Sequence, residues 1–76
     1  MVEFQTIKTE EIGFGDSNFI EVSRKKAISE KGENEFISVS RGFYTLNKEK
    51  RYRKSVTIPI SEEVVDFISE KLKEML

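Results

Sequence analysis

Residues 35–46, EFISVSRGFYTL, decide how the rest of the chain is read. The segment is rich in β-branched and aromatic residues. In an extended chain Ile37, Val39 and Phe43 share one side, while Phe36, Ser38, Ser40, Tyr44 and Leu46 share the other. That alternation predicts a strand. Upstream, residues 19–28 (FIEVSRKKAI) set Ile20, Val22 and Ile28 against Phe19, Glu21, Ser23 and Lys25, a second strand of the same kind. Downstream, residues 51–60 (RYRKSVTIPI) set Tyr52, Lys54, Val56, Ile58 and Ile60 against Arg51, Arg53, Ser55 and Thr57, and Pro59 fits a strand's exit better than a central ladder position. The connections, residues 30–34 and 47–50, are polar and short, as antiparallel hairpins require. Residues 3–13 supply a first strand of poor alternation, ending in a bend at Gly13-Phe14-Gly15.

The C-terminus changes period. Val64, Val65, Ile68, Leu72, Met75 and Leu76 recur at three- and four-residue spacing, with Phe67 widening the stripe. Ser61 stands where an N-cap belongs, Glu62 and Glu63 suit the positive end of a helix dipole, and Ile60 and Val65 form a hydrophobic staple. A helix over about 62–75 follows. The fold class is α+β: a curved four-stranded antiparallel sheet (about 3–60) and one amphipathic helix, ββββα, in a single domain, residues 1–76. One helix is expected to cover one face of the sheet and leave the other open.

Composition narrows the function. The chain has 76 residues, with no Cys and no His, which removes disulfides, thiolate chemistry and the commonest general base and metal ligand. No apolar run is long enough for a membrane span, and Met1-Val2-Glu3-Phe4 does not open like a signal peptide, so a cytoplasmic location is expected. The net charge of −1 averages over a segregated chain: −4 over residues 1–23, +1 over 24–40, +5 over 41–54 and −3 over 61–76. A local basic strip governs anion binding more than net charge does.

That strip is interleaved with aromatics. The open sheet face or its rim is expected to gather Arg41, Tyr44, Arg51 and Arg53 with Phe43 and Tyr52 beside them. Bases stack on aromatic rings while cations follow phosphates, which suits a single strand of nucleic acid. The one helix is acidic, so no recognition helix for duplex DNA is present.

From Phe19 to Leu72 the chain resembles the single-stranded DNA-binding domain of the transcriptional coactivator positive cofactor 4. The matching features are FIEVSR, a basic loop, EFISVSRGFYTL, a charged hairpin, YRKSVTIPI and the closing amphipathic helix. Short archaeal single-stranded-DNA-binding proteins are a second family with a similar plan. The resemblance implies a curved sheet, a dimer built partly through the helices, and DNA in grooves across the sheets. It carries the family's aromatic pair onto Phe43 and Tyr44, its Arg-Lys onto Arg53 and Lys54, and its basic second-strand loop onto Arg24, Lys25 and Lys26. The chain has no Trp and lacks the serine- and acid-rich regulatory region.

The expected function is therefore single-stranded DNA binding with little sequence specificity, by a homodimer, in support of transcription, replication or repair. Phosphate contacts fall to Arg24, Lys25, Lys26, Arg41, Lys48, Lys50, Arg51, Arg53 and Lys54, and stacking to Phe43, Tyr44 and Tyr52. The alternatives are an RNA-binding protein and a small protein-interaction or assembly module using the open face. No catalysis is expected: Glu10/Glu11 and Glu62/Glu63 are adjacent acids without a tunable base, and Gly13-Phe14-Gly15 is not followed by the Lys-Ser/Thr of a phosphate loop. Asp16, Glu30 and Glu33 lack metal-loop spacing, so neither a metal nor a cofactor is expected.

Overall fold

A computed structural model describes residues 2–76. The elements run β1 (Glu3–Phe14), β2 (Asn18–Ser29), β3 (Gly32–Tyr44), β4 (Lys50–Pro59) and α1 (Glu62–Glu74). The strands form one antiparallel sheet in the order β1-β2-β3-β4, so β1 and β4 are its two edges. The expected ββββα order is present.

Two boundaries differ from expectation. The 30–34 connection is mostly strand: Ser29 pairs with Gly32, leaving Glu30 and Lys31 as the turn. Gly32 has φ 131°, a backbone conformation that a side chain would disfavour. Ion pairs from Arg24 to Glu35 (2.9 Å) and Lys26 to Glu33 (3.8 Å) extend the ladder into what composition marks as loop. The connection between β3 and β4 instead comes earlier, at residues 45–49, where the Thr45 backbone N–H donates to the Glu49 carbonyl and Lys48 takes φ 63°.

Register assigns the side chains to two unlike faces, since residues paired across strands point the same way. One face carries hydroxyls at its middle: Thr9 on β1, Ser23 on β2, Ser38 and Ser40 on β3, and Ser55 and Thr57 on β4. The other carries an apolar diagonal: Ile12 on β1, Ile20 and Val22 on β2, Val39 and Ile37 on β3, and Val56 and Ile58 on β4. Burial is inverted relative to this chemistry. Ser23, Ser38 and Ser40 are buried, whereas Val22 and Val56 are 46% and 56% exposed. The short serines are recessed between taller neighbours and bond one another, Ser40 to Ser55 at 2.9 Å and Thr9 to Ser23 at 2.8 Å. Among the described residues, Phe19 is the one buried apolar side chain. Its ring lies on the hydroxyl face against Tyr44 (centroids 5.2 Å apart) and Tyr52 (5.4 Å).

Both edge strands are irregular. A bulge between Thr6 and Lys8 explains why residues 3–13 alternate poorly. A second bulge sets Arg41 opposite Lys54 but Gly42 opposite Tyr52, with Arg53 as the extra residue. The uninterrupted alternation expected for residues 51–60 is therefore wrong: Tyr52 shares the hydroxyl face, while Lys54, Val56 and Ile58 share the apolar one.

The helix is capped as expected, with the Val64 backbone N–H donating to Ser61 Oγ. Its placement is not as expected. It touches β4 and no other strand, so it covers neither face of the sheet. It leaves from an edge strand after a two-residue link, Ile60-Ser61, and has only that strand beside it. The result is a slab of 42 × 36 × 17 Å with a radius of gyration of 14.5 Å, where a compact chain of this length has about 11 Å. Its accessible surface is 6520 Å², against about 4,800 Å² for a folded monomer of this mass.

Candidate nucleic-acid interface

The bends at residues 15–17 and 45–49 lie at the same end of the sheet, because antiparallel pairing brings Phe14, Asn18, Phe43 and Arg51 into one row. The Tyr44 backbone N–H, donating to the Ser17 carbonyl (2.8 Å), ties the two bends together. This hairpin end collects much of the basic strip, but on two faces with different jobs.

On the apolar face, the Arg41 guanidinium lies 5.3 Å from the centre of the Phe14 ring, and that of Arg53 lies 5.5 Å from the centre of Phe43. The bulge is what lets this happen, by setting Arg53 beside the β3 side chains that Lys54 also approaches. Arg41, Arg53 and Lys54 line one shallow depression. None of the three has a carboxylate partner among the described residues, whereas Arg51 pairs with Glu49 at 2.9 Å. Two rings, two planar guanidiniums and an ammonium thus stand together with their charge unspent.

On the hydroxyl face the same end holds a closed polar cluster. Lys50 Nζ donates to Glu11 on β1 (2.7 Å) and to Glu21 on β2, Tyr44 Oη donates to Glu11, and Tyr52 Oη donates to both Glu21 oxygens at 3.1 Å. The Lys50 ammonium also sits 4.7 Å above the Phe19 ring. Hydrogen bonds from Lys50 and then Tyr44 hold the Glu11 carboxyl below its ordinary range. Burial pushes Glu21 up, but the hydrogen bonds from Lys50 and Tyr52 outweigh it and the net shift is downward. The two carboxylates raise Lys50 well above its ordinary value, and the bond to Glu11 raises Tyr44. This cluster spans all four strands and is a clamp.

The expected site residues therefore separate. Arg41, Phe43, Arg53 and Lys54 are brought together. Tyr44, Lys50 and Tyr52 lie on the opposite face from them and serve the clamp, though the Tyr52 ring remains 54% exposed. Lys48 is exposed in the β3–β4 connection. Arg24, Lys25 and Lys26 are further along β2, the first and third already paired with Glu35 and Glu33, and Lys25 on the hydroxyl face. Phe14 is an addition that sequence reading took only for part of a bend; pairing of β1 with β2 is what carries it to Phe43's row.

No group of acidic side chains placed to hold a metal ion occurs among the described residues. No helix among them is long and apolar enough to cross a membrane. Compared with known proteins, the chain matches no family model, no curated protein and no solved structure.

Proposed function

We propose that the protein binds single-stranded DNA with little sequence preference at the hairpin end of its sheet, and that it does so as a homodimer. The observation that carries the binding is the pairing of Arg41 with Phe14 and of Arg53 with Phe43, beside Lys54, with no acid among the described residues holding any of the three cations. Flexible single strands offer both groups this surface wants: phosphates for the cations and unstacked bases for the rings. Arg24 and Lys26, spent on glutamates, add little. The acidic helix, leaving from the opposite end of β4, keeps its charge away from the strand. The homodimer is supported by the surplus of accessible surface and by the uncovered apolar diagonal and helix stripe.

The test is fluorescence polarisation with labelled oligo-dT at two salt concentrations, with duplex as competitor. Affinity should fall steeply with salt, since neutralised phosphates release counterions. Arg53→Ala and Lys54→Ala should each lower the salt slope by about 1 while leaving the melting temperature near that of the parent. Absence of binding at low salt overturns the reading. Tighter binding of oligo-U than of oligo-dT replaces DNA by RNA as the ligand.

A further inference from the structure

Two apolar surfaces are left bare, and they match. The diagonal on the sheet runs from Ile12 on β1 through Val22 and Val39 to Ile58 on β4. It crosses three inter-strand steps and about four residues of strand, a length of about 20 Å. The 13-residue helix is also about 20 Å long. Its stripe faces no strand beyond β4, and Phe67, Leu72 and Met75 are all exposed. Polarity matches as well. Arg41 and Lys54 border the diagonal on the hairpin side, and Lys8, Glu10 and Arg24 border it on the other. Glu63, Glu70 and Glu74, at seven- and four-residue spacing, stand on the side of the helix opposite the stripe and stay in water when the stripe is covered.

The third match is area. The surface beyond that of a folded monomer is about 1,700 Å² per chain, so a pair has about 3,400 Å² to hide, within the range of obligate homodimers. We infer that α1 of each chain lies along the apolar diagonal of a second copy, the two helices being exchanged reciprocally. This rests on the homodimer reading above and specifies which surfaces make it. The exchange gives the bare valines a cover that the chain's own helix does not provide, and leaves the hydroxyl face and the outer row with Phe14, Phe43 and Arg53 to solvent.

The absence of cysteine makes the arrangement directly testable. A chain carrying Val39→Cys is mixed, after partial unfolding and refolding, with a chain carrying Ile68→Cys, and oxidised gently. The expected product is a disulfide-linked pair containing one of each chain, released by reductant. Thr57→Cys, on the hydroxyl face, should give no such pair with Ile68→Cys. If Val39→Cys does not melt cooperatively, Val56→Cys replaces it. A dimeric mass by light scattering with cross-links confined to Ile68→Cys homodimers, or formed preferentially through Thr57→Cys, overturns the exchange and leaves the homodimer standing. A monomeric mass at micromolar concentration overturns both. Oligo-dT binding on the same samples reports separately on the nucleic-acid reading.

Discussion

Glu21 is 8% exposed on a face without any helix over it, and three groups make that tolerable: Lys50, Tyr52 and Ser23 all donate to its carboxylate. A carboxyl depressed from its ordinary 4.5 adds stability that is present above that value and lost as pH falls through the lower folded value. Lys50, raised above its ordinary 10.5, adds stability present below that value and lost as pH rises through the folded one. The melting temperature should therefore be level across neutral pH and fall at both extremes. Glu21→Gln should lower it at pH 7 and flatten the acid arm, read by circular dichroism from acid to neutral pH; an acid arm as steep as the parent's would show that the clamp does not govern it. Gly42 is the other residue on which the site depends. A Cβ there would overlap the Arg51 carbonyl oxygen and press on the Phe19 ring, just where the β4 bulge begins. Gly42→Ala should cost about 1–3 kcal/mol in urea unfolding, and more if the bulge cannot shift. Parent-like stability would mean the strands are further apart here than their pairing indicates.

At the scale of the element, β4 separates what alternation makes legible from what it does not. The existence, order and direction of the elements follow from period-two runs, polar connections and the Ser61 cap, all local signals. A bulge is not local: it is decided by which residue faces which on β3, and nothing in RYRKSVTIPI announces that Arg53 is the extra one. Missing it puts Tyr52 on the wrong face and hides the stack of Arg53 on Phe43. The clamp was illegible for the same reason, since Lys50 and Glu11 are 39 positions apart and fall in segments of opposite charge. The adjacent aromatics of β3 now make unlike predictions. Phe43→Ala removes a half-buried ring whose one cation or aromatic contact among the described residues is Arg53, so it should weaken oligo-dT binding by about 1–3 kcal/mol with a smaller loss of melting temperature than Tyr44→Ala. Tyr44→Ala removes a ring packed on Phe19 and a donor to Glu11, so melting temperature and affinity should fall together. Loss of affinity alone at Tyr44 would reassign it to the binding surface.

For the whole molecule, the decisive quantity is how little of it is inside. A sheet with one layer, a helix that meets only β4, and Phe19 as the one buried apolar side chain among the described residues lack the two packed layers around which domains hold together. Short chains already bury a smaller share of their surface than long ones, and this chain falls below even that expectation by about 1,700 Å². Strand pairing alone does not make up the shortfall, because backbone hydrogen bonds exchanged with water contribute only about 1 kcal/mol each against a comparable loss of chain entropy per residue. Folding and association should then be one event. Unfolding that releases two chains has a midpoint that rises with protein concentration, whereas a monomer's does not move. The melting temperature should climb steadily over about two decades of concentration, with no partly unfolded plateau between dimer and free chains. Leu72→Asp, which places a charge in the bare stripe without touching the sheet's own contacts, should lower the midpoint most at the dilute end. A midpoint independent of concentration in the parent chain would mean that the single layer is stable alone and that its apolar diagonal is open to another kind of partner.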